Sequence, residues 1–167
     1  DPQPTTEPVP LADPADITLV EDSNRTLGVS YKYPAGWESV YGRRTLCYQE
    51  PTTPGIEPAR MAITAKSVSA APSKTEMEAQ LASFMEMAKS QSETFAPGEV
   101  KHGVGLVGAK GYRQTYIATV NGQEITGYVI IAYTGGKIYL LHISAPTQRY
   151  DALGDIWYDI RLAVLPL

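Results

Sequence analysis

Apolar and polar positions alternate through Leu27-Gly-Val29-Ser-Tyr31-Lys-Tyr33, the period of a half-buried strand. Pro34-Ala35-Gly36 breaks the pattern as a turn. Short strands are predicted over Trp37 to Tyr41 and Arg44 to Gln49, and a loop follows, marked by Pro51, Pro54, Gly55 and Pro58. Arg60 to Val68 reads as a further strand with Met61, Ile63 and Ala65 on one face. The period then changes. Ser73-Lys-Thr-Glu76 is a capping box, in which the serine oxygen accepts from a first-turn amide. Met77, Leu81, Phe84 and Ala88 follow on one helical face. An amphipathic helix is predicted here, packed on a sheet and ended before Pro97-Gly98.

A meander comes next. Gly111 to Val120 and Gln123 to Tyr133 flank Asn121-Gly122, a strong short hairpin signal. Gly135-Gly136 turns the chain again into Lys137 to Ala145. Val129-Ile-Ile131 and Ile138 to Ile143 are apolar on both faces, as central strands covered on both sides are. Leu153, Ile156, Trp157, Ile160 and Val164 return to helical spacing. The pattern predicts an α+β fold, an α/β/α sandwich: a central antiparallel sheet of about six or more strands with amphipathic helices against it.

Composition narrows this picture. The 167 residues suffice for one domain, and 43% are apolar against 19% charged, as in a globular chain. No apolar run approaches the roughly 20 residues a membrane helix needs. The net charge of −4 has its source in residues 1–26, where six acids meet only Arg25. Residues 27–167 are nearly neutral and show no basic stripe, so nucleic acid is not expected as a partner. Residues 1–14 hold five prolines. Residues 1–26 are therefore read as an acidic, proline-rich tail or tether and 27–167 as the single globular domain. A chain opening at Asp1 in this way is expected to be exported, with membrane contact only through a removed leader or a lipid anchor.

The motifs that carry chemistry are sparse. Gly103-Val-Gly105-Leu-Val-Gly108 matches a dinucleotide fingerprint, but it runs into a strand pattern rather than a helix. It is read as a hairpin or bulge. Cys47 is the one cysteine, it alternates with Leu46 and Tyr48, and no base can be nominated for it. His102 lies in a glycine-rich bend and His142 in an apolar strand, where a packed, hydrogen-bonded role is expected. Asn24-Arg25-Thr26 is a glycosylation sequon by pattern, and Ser144 lies in no nucleophile elbow. No catalytic residue, metal site or cofactor is assigned. Eleven tyrosines, all after residue 30, suit half-exposed pleats and also binding faces. The binding surface expected from the sequence comprises Trp37, Tyr41, Arg43, Arg44, Tyr139 and His142.

Tyr33-Pro34-Ala35-Gly36-Trp37-Glu38 resembles a signature of PsbP-like proteins. The Gly111-Tyr112-Arg113 strand, the Gly136-Lys137-Ile138-Tyr139 strand and Tyr150-Asp151 before a terminal helix are similar too. The resemblance spans roughly residues 27–165. It implies an α/β/α sandwich and action by docking on partners, as in an extrinsic photosystem II subunit and a Ran-binding nuclear import factor. The matched residues are structural corners, so no catalytic role and no partner transfers with them. The leading expectation is a non-catalytic binding or accessory domain at the cell envelope, secreted or lipid-anchored, with a protein or envelope partner. The alternative is a small-molecule carrier or an enzyme with a cleft between sheet and helix, near Tyr139 and His142. A third reading is a structural envelope protein that packs laterally with its own copies.

Overall fold

The computed structural model describes residues 8–41 and 45–167. Its centre is the meander anticipated from the glycine turns. Strands β8 (Ala109–Val120), β9 (Gln123–Thr134) and β10 (Lys137–Pro146) pair antiparallel through two-residue hairpins. Asn121 and Gly122 (φ 50° and 73°) and Gly135 and Gly136 (φ 58° and 81°) supply the left-handed conformations those turns require. Val129 to Ala132 are fully buried because layers cover β9 on both faces.

The sheet extends outward in the order β3 (Glu38–Tyr41), β4 (Thr45–Gln49), β5 (Arg60–Ser67), β10, β9, β8 and β6 (Thr94–Pro97). Strand β7 (Lys101–Leu106) also pairs with β8. The glycine fingerprint lies here and opens no helix. Gly103 (φ 80°) marks a register shift in β7, and Val107-Gly108 forms the hairpin turn into β8.

Helix α1 (Lys74–Ser90) covers one face, and Ser73 Oγ accepts from the Glu76 amide at 3.1 Å. Met77, Leu81 and Met85 are buried against Tyr116, Val129 and Ile131. Phe84 and Ala88, expected on the same stripe, are only half-buried because they border a cleft between α1 and the sheet.

The other face carries α2 (Thr147–Ala152), α3 (Gly154–Ala163) and a small sheet of β1 (Leu19–Asn24), β2 (Val29–Pro34) and β11 (Leu165–Pro166). Its core includes Met61, Ile63, Ile130, Leu141, Leu153 and Ile160. The terminal helix expected over Leu153 to Val164 is α3, with Leu153 and Val164 as its N- and C-caps, and the short α2 ahead of it is a further helix that the pattern does not announce.

The folded region begins before the boundary drawn at Leu27. Strand β1 pairs along the whole of β2, and Ile17 and Leu19 pack on the core. Ahead of it, the Val9 amide donates to Thr53 Oγ1 at 2.8 Å, and Ala12 O accepts from Arg149 at 2.9 Å. Residues 9–12 thus lie along the domain. β1 escapes the pattern because four of its six side chains are exposed, so nothing alternates.

Candidate functional site

The cleft beside α1 has a volume of about 500 Å³. Its floor is the sheet face of β4, β5, β8, β9 and β10, and its roof is the C-terminal half of α1. Ala62 and Ala118 keep the floor low, and Ile125, Leu140, Phe84 and Met87 make the walls apolar. A pocket of this size and lining is typical of small-molecule sites.

Two polar side chains meet on the floor. The Tyr116 hydroxyl and His142 Nε2 are 2.7 Å apart, and the Phe84 ring meets the imidazole edge-on with centroids 4.7 Å apart. The His142 ring shows some surface to the cleft but is otherwise enclosed by protein. Desolvation first, and then the positive charge of Arg60, push its pKa down to about 4. Burial pushes the Tyr116 phenol up to about 12, with a small opposing effect of Arg60. At neutral pH the pair is a neutral imidazole and a neutral phenol, joined by one proton in the hydrogen bond. With a pKa near 4 the imidazole is a weak base. Ser144 also lines the cleft and is 8% exposed.

The rim is charged. Arg60 Nη1 lies 3.5 Å from Glu57 Oε2, and Glu57 Oε1 accepts from Asn121 Nδ2 at 2.8 Å. The β8–β9 hairpin is thereby tied to the loop before β5.

Gly127 makes room for the Tyr116–His142 pair. It lies directly opposite Tyr116 in the β8–β9 pair, and a Cβ there would stand 2.0 Å from Tyr116 Cζ. The missing side chain lets the tyrosine ring lie across the strand and reach His142 on β10. Gly127→Ala is expected to cost about 1–3 kcal/mol through overpacking. In a Tyr116→Ala background that cost should vanish, and urea denaturation of the four proteins of the cycle checks it.

The sequence-derived surface is not one surface. His142 lies in the cleft, but Tyr139 is on the opposite face of β10, 3% exposed within the other core, because residues three apart on a strand point opposite ways. Trp37 is also buried there, edge-on to Trp157 with centroids 5.8 Å apart. Tyr41 ends β3, and Arg43 and Arg44 lie outside the described residues. Cys47 is half-buried, and burial raises its thiol pKa, which suits packing rather than nucleophilic attack. Tyr116 and Gly127 were not singled out from the sequence. The available signal was a glycine interrupting an apolar central strand.

No protein-family model matches the chain, and no curated protein matches it. Solved structures do. Cyanobacterial PsbP (CyanoP) from Synechocystis sp. PCC 6803 aligns with a TM-score of 0.60 and 14% identity over 89% of this chain and 92% of its own. The Saccharomyces cerevisiae Ran-binding protein Mog1p aligns at 0.57 and 9% identity over 89% and 95%. LpqN of Mycobacterium tuberculosis, described as involved in cell envelope biogenesis, aligns at 0.53 and 14% identity over 90% and 91%. The fold is therefore the PsbP/Mog1 fold expected from the sequence. Likeness at these identities concerns the fold alone.

Proposed function

We propose that this chain is a non-catalytic binding domain of an extracytoplasmic accessory protein, and that its ligand is a small, mostly apolar molecule seated between the sheet and α1. The observation that carries this reading is the Tyr116–His142 pair on the floor of an otherwise apolar cleft. This neutral pair favours a ligand with one hydroxyl, carbonyl or amide at its buried end, because an apolar ligand would leave unpaired the polar position that the Tyr116–His142 bond does not use. The extracytoplasmic setting is supported by the acidic, proline-rich N-terminal residues and by the envelope role stated for LpqN.

The neutral fluorophore N-phenyl-1-naphthylamine tests the cleft. It is expected to saturate a single site. Ala62→Leu, which fills the floor from a half-buried position, should weaken that binding at least tenfold while keeping the melting temperature within a few degrees. Equal binding by the variant and the parent would place the fluorophore elsewhere and reject the reading.

A second reading, docking on a protein, is favoured by an exposed apolar ridge. Tyr158 and Leu162, four apart on α3, continue into Leu165 and Leu167, and all are 46–65% exposed. Tyr158→Ser and Leu162→Ser would then abolish partner binding without affecting fluorophore binding.

A further inference from the structure

A second crevice lies on the opposite face of the sheet, under α3, with a volume of about 180 Å³. Arg113 of β8 and Arg161 of α3 both line it, beside Tyr128, Tyr150, Trp157 and Tyr158. Tyr128 stands diagonally across the β8–β9 pair from Arg113, whose direct partner is Ile130. The guanidinium of Arg113 sits 5.6 Å from the Tyr128 ring centroid, and that of Arg161 sits 5.1 Å from the Tyr158 centroid. A guanidinium held against a ring by its face keeps its in-plane N–H groups for another acceptor.

Among the described residues, no carboxylate lies within 4.0 Å of either guanidinium. Arg161 Nε and the Tyr128 hydroxyl are fully buried, and neither has a hydrogen-bond partner. Tyr128 is 8% exposed, so its hydroxyl is an enclosed polar group without a mate at the wall of the crevice. Buried donors left unpaired are rare and costly, and here one belongs to Arg161 itself and the other to Tyr128, both lining the crevice with Arg113.

We infer that this crevice binds a small organic oxyanion, a carboxylate or phosphate on a flat apolar body. The oxyanion accepts from Arg113, Arg161 Nε and the Tyr128 hydroxyl, and the body packs on Trp157 and Tyr150. Planar guanidinium forks match both oxyanions. The crevice is too small for a nucleotide. It lies on the other side of the sheet from the cleft beside α1, so either site can fail without the other.

The test uses the full chain and titrates benzoate, phenyl phosphate, inorganic phosphate and, as the neutral isostere, benzyl alcohol. Binding is followed by the NMR shifts of the Gly154 amide and the Trp157 indole Nε1–H, which donates to Tyr150 O at 3.0 Å beside the crevice. Benzoate or phenyl phosphate should move both signals saturably, and whichever binds at least tenfold tighter identifies the oxyanion. Inorganic phosphate should bind more weakly than phenyl phosphate, and benzyl alcohol should not saturate. Arg161→Gln and Arg113→Gln should each weaken the preferred acid at least tenfold. Tyr128→Phe, which deletes only the unpaired hydroxyl, should weaken it severalfold and keeps the test decisive if an arginine variant unfolds. Benzyl alcohol matching the acids, or unchanged affinity in Tyr128→Phe and a folded arginine variant, would overturn the assignment.

Discussion

Arg149→Leu should destabilise the domain by about 3–5 kcal/mol, a fall of roughly 6–20 °C in melting temperature for a chain of this size. Glu50 is 5% exposed and Arg149 grips it by both ends of the guanidinium: Nε donates to Oε1 at 3.1 Å and Nη2 donates to Oε2. The same Nη2 donates to Ala12 O. Removing the arginine strands a carboxylate where water hardly reaches and releases the N-terminal segment from the body. The pair's attraction is largely offset by the desolvation of both charges, so the single variant reads the cost of an orphan rather than the net worth of the pair. Glu50→Leu combined with Arg149→Leu should therefore recover most of the loss. Urea denaturation of the two singles and the double checks this, and limited proteolysis before residue 19 should accelerate in Arg149→Leu. A single variant within 1 kcal/mol of the parent would mean that the carboxylate finds water or another partner.

That pair also shows where sequence reading stops. Glu50 and Arg149 are 99 residues apart and carry no local signal of each other. The meander was legible because Asn121-Gly122 and Gly135-Gly136 demand left-handed turns, and α1 was legible because Ser73 and Glu76 announce its start. Strands β1, β6, β7 and β11 were not. They are short or edge strands whose side chains are mostly exposed, so their hydrogen bonds are set by neighbours that local pattern does not reveal. The α1 stripe was read correctly in direction, yet its last turns face a cleft instead of a core, and periodicity does not distinguish the two.

The candidate sites follow the same rule. The sequence points to a cleft near both His142 and Tyr139, but only His142 lines it. The companion of His142 is Tyr116 on β8, two strands away, reaching over Gly127. Arg113 and Arg161 meet only because α3 folds back onto the sheet. Chemistry on a sheet is assembled across strands, so a residue's partners are set by register. The sequence discloses register only where a turn pins it.

The pH dependence of stability should reveal His142 directly. Its folded pKa is about 4, against an ordinary value of 6.5, because burial and the Arg60 charge disfavour the imidazolium. Between those values the unfolded chain carries a proton that the folded chain refuses. The unfolded state then binds more protons, so stability rises with pH across this window and falls as pH drops through it. His142 withdraws no stability above pH 6.5 and its full share below about 4. The shift corresponds to about 2–3 kcal/mol once partial hydration of the cleft is allowed for. Many carboxylates titrate nearby, so the quantity to measure is the difference in unfolding free energy between the parent and His142→Gln at each pH. The glutamine can still accept from the Tyr116 hydroxyl, but it has no proton to take up. Relative to that variant, the parent should lose about 2–3 kcal/mol between pH 7 and pH 4, and the difference should be flat above 7. A difference that is flat throughout would show that water reaches the imidazole freely.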